Sequence, residues 1–448
     1  MKRCLWIGLG LVACRPETGN LIGALDWEAT EGGTVLRAEW TLQEEALAWV
    51  EFGPSPRCDR WKTPKERGLS GEVLLIGLPP ATDACFSLYA EKDGVVEAGV
   101  MQTYRTSSPP AAFEPMEVEI FDDTAYADGF WLGTNAINPA LAYVLDRDGN
   151  YVWWHKGPAN ALTPQMSMAH AKDGFVFNEF NRDFSIDESR IVSIGFDGVV
   201  KESISTPNGH HSFTNLPDGS LAYLAIDVRD TEEYGPVVGD ALIIDDGVTS
   251  EVLYTTWDDE HILLEPHEQW GVSFYPQGID WTHANYLYFD EDRNSFTISF
   301  AHADAIVEVD ADTGAHLRSI GQAGTHSVPG NLLGRPHSAE WTDDGNLLFF
   351  TTPRLGENEE SIGVELAFDD STNSTEVVWS YGEGLNYFTL VMGEVLRLDN
   401  GNTLMNFGSK GIVEEISPEG EVVWRMYTAT GTFPGHLVFV DSFYEDNR

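Results

Sequence analysis

Apolar and polar residues alternate along most of this chain, and turns that combine an acidic residue with Gly break the alternation. A period of two predicts β-strands with one buried face, and Asp-Gly turns between such strands predict hairpins. From about residue 118 to the end, strands and turns recur without a convincing helical pattern. The hydrophobic pattern therefore predicts an all-β protein.

Residues 20 to 106 form a first predicted unit, with turns about every eight to twelve residues, as in small β-sandwiches. Its apolar segments read TVLRAEWTL, ALAWVEFG, EVLLIGLPP, CFSLYAEKDG and AGVMQTYRT. The order of Trp40, the Gly-Leu-Pro-Pro at 77 to 80 and the closing Tyr-Arg-Thr resembles fibronectin type III domains. Because these are packing residues, the likeness implies a fold and no chemistry.

A segment rich in Ser and Pro at residues 107 to 117 is predicted to be a linker to a second unit, residues 118 to 448. Two phrases alternate in this unit. One is an apolar strand, an acidic-Gly turn and a second strand. The other is a His, a short lead-in, an acidic turn and an apolar strand, and it reads MAHAKDGFVFNEF, HHSFTNLPDGSLAYLAI, WTHANYLYFDEDRNSFTISF and RPHSAEWTDDGNLLFF.

The spacing of the His phrases predicts a β-propeller. From His170 to His211 is 41 residues, from His211 to His283 is 72, and from His283 to His337 is 54. Such periods indicate four-stranded blades. The longest interval, from His211 to His283, is expected to include an insertion near residues 231 to 237. The unit has room for about six blades of ~55 residues, with five or seven left open.

Equivalent positions in a closed repeat converge in space, so the histidines of the four phrases are predicted to ring one mouth of the central channel. They are His170, His211 with its neighbour His210, His283 and His337. One such histidine alone is more often a hydrogen-bonded structural residue. Four at matching places predict a functional cluster.

The N-terminus reads MKRCLWIGLGLVAC, with a basic start, an apolar core and a Leu-Val-Ala-Cys ending typical of bacterial lipoprotein signals. Residues 1 to 19 are predicted to be a signal peptide and tether, with acylation at Cys14 and an exported protein held on a periplasmic or outer-membrane face. An ordinary cleaved signal is the alternative. Cys58 and Cys85 remain, and in an exported β-domain they are expected to form a disulfide, with a buried reduced pair as the alternative.

The formal charge of −46 argues against nucleic acid as a partner, because a polyanion would be repelled. The charge is spread along the chain and is typical of a solvated surface. No Gly-x-Ser-x-Gly, phosphate loop or His-Glu-x-x-His occurs, so serine hydrolase, nucleotide and zincin readings lack support.

The second unit resembles the bacterial arylsulfotransferase family. The matching segments are GHHSFTNLPDGSLAYL, DWTHANYLYFDEDRNSFTISF followed by AIVEVDADTGAHLRSIG, and RPHSAEWTDDGNLLFF. The resemblance implies a six-bladed propeller that moves a sulfuryl group from a phenolic sulfate to a phenol without a cofactor. It implies His337 as the nucleophile, transiently sulfated, with His283 and His211 (or His210) assisting.

One departure from the family concerns an Arg on the strand after the Trp-Thr-His segment, because Ala301 stands in its place. A guanidinium grips sulfate with two hydrogen bonds and an Ala cannot. His302, if protonated, and Arg335 are predicted substitutes, and His170 and His210 complete the predicted substrate-binding set.

Two rival functions remain open: a non-catalytic propeller that binds a protein or glycan, and a His cluster that holds copper or zinc. The oligomeric state is left open.

Overall fold

The structure is a computed structural model that describes residues 21–136, 140–159, 161–181, 188–264, 274–321, 324–355, 358–429 and 432–444. The predicted lipidation site Cys14 lies outside the described residues. Within them the fold is all-β, as predicted, with no α-helix and two short 3-10 helices, Thr256–Asp258 and Gly408–Lys410. No helix in the described part of the chain is long and apolar enough to cross a membrane.

Seven strands make up the first unit. They are β1 (Ile22–Ala29), β2 (Leu36–Pro54), β3 (Trp61–Lys62), β4 (Glu66–Leu75), β5 (Asp83–Lys92), β6 (Val95–Ala98) and β7 (Gln102–Arg105).

The long strand β2 organises this first unit. Its first half pairs with β1 and its second half with β3 and β5, while β4 follows both halves across a register shift between Thr41 and Ala46. The sheet thereby folds over a core that includes Trp40, Phe52 and Phe86, in a sandwich-like arrangement. The likeness to fibronectin type III stays a prediction.

Cys58 and Cys85 form a disulfide with their Cα atoms 5.1 Å apart. The bond ties the loop after β2 to the buried strand β5.

The remaining strands form the second unit. The first of them are β8 (Glu117–Ile120), β9 (Phe130–Asn135), β10 (Leu141–Asp146), β11 (Tyr151–Lys156), β12 (Ala161–Leu162), β13 (Met166–Met168), β14 (Gly174–Asn181), β15 (Arg190–Gly195), β16 (Val200–Ser205), β17 (Gly209–Asn215), β18 (Leu221–Thr231), β19 (Gly235–Asp245), β20 (Ser250–Thr255) and β21 (Ile279–Asp280). They are followed by β22 (Ala284–Asp290), β23 (Ser295–Phe300), β24 (Ala305–Asp310), β25 (His316–Ile320), β26 (His337–Trp341), β27 (Leu347–Thr351), β28 (Arg354–Leu355), β29 (Asn358–Glu359), β30 (Ile362–Asp369), β31 (Ser374–Tyr381), β32 (Glu394–Arg397), β33 (Thr403–Asn406), β34 (Ile412–Ile416), β35 (Val422–Tyr427) and β36 (Val438–Val440).

These strands form a six-bladed β-propeller, which confirms the predicted architecture. Each blade is a mainly antiparallel sheet, and the short β21 adds to the third blade in parallel to β19. Ordered from the inner to the outer strand, the blades are β36-β9-β10-β11, β12 and β13 with β14-β15-β16, β17-β18-β19-β20, β22-β23-β24-β25, β26-β27-β30-β31, and β32-β33-β34-β35-β8. The hairpin of β18 and β19 lies where the insertion near residues 231 to 237 was predicted.

The two ends of the second unit close the ring. The C-terminal strand β36 is the inner strand of the blade that continues with β9, and β8 completes the outer edge of the preceding blade against β35. Strands from opposite ends of the unit thus remove what would be open edges.

Tyr444 links the two units just beyond the last strand. Its hydroxyl donates to the Leu74 carbonyl at 2.7 Å and accepts from the Ile76 N–H at 2.9 Å. The ring of Phe443 packs against Phe130 in the same contact. The end of the chain therefore both closes the propeller and attaches it to the first unit.

Candidate functional site

Three neighbouring inner strands carry the same irregularity at their histidines. The register shifts between His210 and Phe213 in β17, between Ala284 and Tyr286 in β22, and between His337 and Glu340 in β26. β-Bulges of this kind commonly re-aim a side chain beside a functional site. The repeated sequence phrase thus corresponds to a repeated bulge at the start of an inner strand.

Backbone strain accompanies these bulges. His211 and His283 have φ values of 44° and 50°, and Ser338, directly after His337, has 54°. Residues other than Gly rarely adopt this left-handed conformation, and where they do the surrounding structure must hold them there. The fold therefore fixes the backbone at the three histidines instead of leaving it free to relax.

The bulges bring the histidines to one cavity of about 180 Å³. His211, His283, His302 and His337 line it, with Phe274, Phe350, Leu390, Val391 and Met392 among its apolar walls. A cavity of about 150 Å³ is enough to hold benzene in an apolar protein core. The cavity therefore has room for one aromatic ring against a set of imidazoles.

Asp280 organises two of the imidazoles. His283 Nδ1 lies 2.7 Å from Asp280 Oδ2, and His302 Nδ1 donates to the Asp280 carbonyl at 2.9 Å. The two rings stack with their centroids 4.7 Å apart.

The pKa values of His283 and His302 are shifted in opposite directions. Burial lowers the pKa of His283, but the charge and hydrogen bond of Asp280 outweigh burial and raise it above its ordinary value. Burial and the neighbouring His283 lower the pKa of His302 to about 4. His302 lines the cavity but is neutral near pH 7, which argues against the expectation that it replaces the family Arg as a cation.

His211 and His337 are also poor bases in this site. Burial, reinforced by the other histidines, holds the pKa of each well below its ordinary value, although a backbone hydrogen bond to Gly393 opposes the shift at His337. His337 Nδ1 is buried and has no hydrogen-bond partner among the described residues. Both side chains are consequently neutral imidazoles at physiological pH.

His210 does not reach the cavity, contrary to the prediction that it binds substrate. Its Nδ1 lies 3.0 Å from His211 Nδ1, and its Nε2 lies 3.0 Å from Asp240 Oδ1. Asp240 is itself anchored by the Ala284 N–H at 2.7 Å. His210 lies behind His211 in the bulge of β17, where its ring packs against Tyr275 and does not line the cavity.

His170 does not belong to the cluster either. It is exposed in the turn between β13 and β14, whereas the other histidines begin inner strands. His211, His283 and His337 precede the Asp that opens the next turn by seven residues, but His170 precedes Asp173 by three. The matching position is Met166, the buried first residue of β13.

The fourth member of the ring is His436, which the sequence analysis missed. It is buried just before β36, and its ring centroid is 5.2 Å from that of His337. The acidic turn of the His phrase is absent here because the hairpin partner of β36, strand β9, comes from the other end of the unit. The one available signal was a His between a Gly and the last apolar strand.

Arg335 brings a permanent cation to the cavity wall. It lines the same cavity as the histidines, and its Nη2 lies 3.0 Å from Glu359 Oε2. Its backbone is held at a φ of 49°, with its N–H donating to Asp304 Oδ1 at 2.7 Å. Ala301 also lines the cavity, so the place of the missing family Arg faces the same space.

Residues 117–324 match the family described as Arylsulfotransferase (ASST). The matched stretch contains His211 and His283, whereas Arg335 and His337 follow its end. The match covers less than half of the chain, so it shows a similarity to this family and no substrate. No curated protein matches the chain.

Solved structures with a similar fold are distant. A protein of unknown function from Bacteroides caccae is 15% identical with a TM-score of 0.46, covering 71% of this chain and 100% of its own. A streptogramin B lyase is 13% identical with a TM-score of 0.40, covering 74% and 96%. A virginiamycin B lyase from Staphylococcus aureus is 9% identical with a TM-score of 0.38, covering 70% and 88%. At these scores the likeness carries no information about substrate.

Replacing Asp280 by Asn should lower the pKa of His283 below its ordinary value, because burial would then act with little opposition. The raised pKa also means that this pair stabilises the fold fully below the unfolded-state value of about 6.5 and loses its contribution as the pH rises through the folded-state value. An NMR titration of the imidazole signals measures the shift. Asp312→Asn, in the exposed turn before β25, is the control, and an unchanged His283 titration in Asp280→Asn would contradict the assignment.

Proposed function

We propose that this protein is an exported arylsulfotransferase-type enzyme that transfers a sulfuryl group from a phenolic sulfate ester to a phenol through a sulfated His337. The observation that carries the proposal is the convergence of His211, His283 and His337 on one ring-sized cavity. The reaction needs no nucleotide sulfate donor and no diffusible cofactor.

His337 supplies the nucleophile. A nitrogen with a free lone pair is required for attack on sulfur, and the lowered pKa of His337 keeps such a nitrogen available at neutral pH. Its Nδ1 is sealed from solvent, which leaves Nε2 to meet the substrate. In the first transfer an N–S bond forms, the S–O bond to the aryl group breaks, and an aryloxide leaves.

His283 supplies the proton. Asp280 raises the pKa of His283, so this imidazole is the member of the cluster best able to hold a proton near pH 7. It protonates the departing aryloxide and then accepts the proton of the incoming phenol. The second transfer breaks the N–S bond and returns His337 to its neutral state.

Arg335 takes the role of the missing family Arg in this proposal. His302 and His211 are neutral near pH 7, so each carries one N–H, and that of His302 already donates to the Asp280 carbonyl. Arg335 carries a permanent charge and lines the same cavity. Its ion pair with Glu359 holds the guanidinium in place at the cavity wall.

A metal site is the rival with a specific observation in its favour. One ligand atom each of Asp280, His283 and His302 lies within 4.8 Å of the others, and all three residues are buried. His302 Nδ1 donates to the Asp280 carbonyl, so only Nε2 of this residue could bind a metal. Metal content after reconstitution with Zn²⁺ or Cu²⁺ separates the two functions.

His337→Gln should abolish phenol-dependent release of nitrophenolate from 4-nitrophenyl sulfate, with a loss of about 10³-fold or more because the nucleophile is gone. Steady-state absorbance with and without phenol measures it, with EDTA present to exclude adventitious metal. His170→Ala, in an exposed turn, is the matched control and should retain full activity. Equal rates for wild type and His337→Gln would refute the covalent mechanism.

Arg335→Gln should reduce kcat/KM for aryl sulfates by about 10- to 100-fold, because it removes a hydrogen bond from a charged donor to the sulfuryl oxygens. Arg229→Gln, which removes an exposed guanidinium paired with Asp227, is the control. If Arg335→Gln and Arg229→Gln have the same small effect, another group holds the sulfuryl oxygens.

Export and a lipid anchor at Cys14 are part of the proposal. Metabolic labelling with a fatty-acid analogue should acylate the full-length protein, and Cys14→Ser should lose the label and release the protein from the membrane fraction. Cys4→Ser is the control within the same segment, and label retained in Cys14→Ser would rule the anchor out.

A further inference from the structure

A second cavity, of about 330 Å³, lies along the same inner strands. Its walls include Tyr286 and Glu340, which follow His283 and His337 by three residues, together with Glu394 and His436. His337 lines the first cavity and His436 the second, and their ring centroids are 5.2 Å apart. The two imidazoles therefore separate the substrate cavity from a second, acidic chamber.

Glu394 fixes one face of His436. Its carboxylate is 2% exposed, accepts the Leu437 N–H on Oε2 at 2.7 Å, and has Oε1 3.3 Å from His436 Nδ1. The backbone N–H of His436 donates to the Pro164 carbonyl at 2.9 Å, so the main chain of this residue is held as well as its side chain. Because an ionised carboxylate only accepts hydrogen bonds, His436 carries its proton on Nδ1 and keeps a lone pair on Nε2.

Two nitrogens on these neighbouring rings lack partners. His436 Nε2 and His337 Nδ1 are both buried without a hydrogen bond to any described residue. A buried polar atom left in this state costs about 1–3 kcal/mol, so such atoms usually meet a water or a ligand. One bridging water, or a small rotation of either ring, would join the two nitrogens.

Sulfation of His337 places a positive charge on its buried ring. Attack through one nitrogen leaves the ring as an imidazolium cation that carries an anionic sulfuryl group, and the remaining N–H of this buried ring then becomes a stronger donor that needs an acceptor. No carboxylate contacts His337 within the described part of the chain, and Asp280 is engaged by His283. The nearest anionic support that reaches His337 from behind is Glu394, through His436.

We propose that Glu394 and His436 form a positioning dyad for His337. Glu394 sets the tautomer of His436, and His436 Nε2 accepts the N–H of His337 Nδ1, which presents Nε2 of His337 to sulfur. This inference rests on the proposed sulfotransfer.

During the first transfer the Nδ1 proton stays in the hydrogen bond between the two rings while the N–S bond forms and the S–O bond breaks. No proton is lost, and the sulfated ring remains a cationic leaving group for the second transfer.

The other groups around His436 are compatible with this role. Tyr286 packs against its ring at 4.7 Å and hydrogen-bonds Glu340. Burial raises the pKa of Glu340 to about 7, so it does not place a full second negative charge beside Glu394. Arg397, the cation of the second cavity, is paired with Glu365. His211 and His283 are the remaining titratable side chains that face this pair from the substrate side.

Glu394→Gln tests the dyad. The Leu437 N–H requires the amide oxygen, so the amide NH₂ of Gln must face His436 Nδ1 and drive its proton to Nε2. The ¹⁵N shifts of His436 should therefore report a change from the Nδ1–H to the Nε2–H tautomer. This readout does not depend on enzymatic activity.

The kinetic measurement is the burst of nitrophenolate released when 4-nitrophenyl sulfate is mixed with the enzyme in the absence of a phenol acceptor. This burst reports the first transfer, in which His337 is sulfated. Glu394→Gln should slow the burst by about 10- to 100-fold, the usual effect of removing a carboxylate that orients an imidazole. The apparent affinity for the donor should stay unchanged, because Glu394 does not line the substrate cavity. Glu415→Gln is the matched control: Glu415 is buried in the same blade and accepts the Ala127 N–H at 2.9 Å.

The outcomes separate the two proposals. A tautomer change with a slower burst supports the dyad, and an unchanged tautomer or an unchanged burst in folded Glu394→Gln overturns it. If wild type shows no burst with any aryl sulfate, sulfotransfer itself fails and the dyad falls with it as a catalytic device, whatever the tautomer. If Glu415→Gln slows the burst equally, the effect is structural and the dyad is overturned.

Discussion

The pairing of β36 with β9 is the interaction on which the rest of the structure depends. Three residue pairs, from Val438 with Leu132 to Val440 with Phe130, join the last strand of the chain to the first blade. This contact closes the ring, and only a closed ring makes the starts of the inner strands converge. It also delivers His436 to the side of His337 and places Tyr444 against the first unit.

Within the closed ring, chemically identical side chains become different because of the carboxylates around them. Asp280 raises the pKa of His283. Glu394 orients His436, and Asp240 lies beside His210. His337 has no such partner and is kept neutral by burial. One imidazole can thus act as a nucleophile while another acts as an acid, a division that identical exposed histidines could not achieve.

Local strain is the means by which the fold presents these groups. The bulges in β17, β22 and β26 interrupt the hydrogen-bond ladders, and left-handed backbone accompanies each one. The ladders on either side supply the energy that holds this arrangement. The same inner strands continue past the bulges to Tyr286 and Glu340, so the substrate cavity and the acidic chamber behind it share one scaffold.

Features that depend on short-range order could be predicted from the sequence: the period of two, the acidic turns, a propeller of about six blades, and the His phrases that mark His211, His283 and His337. These signals are legible because each blade repeats one local plan. Only the tertiary structure decided the rest. His170 matched the phrase but lies in a turn, since its distance to the next Asp is shorter. His436 lacks the phrase because its hairpin partner lies at the other end of the unit. Contacts between residues so far apart in sequence depend on ring closure, which no local pattern encodes.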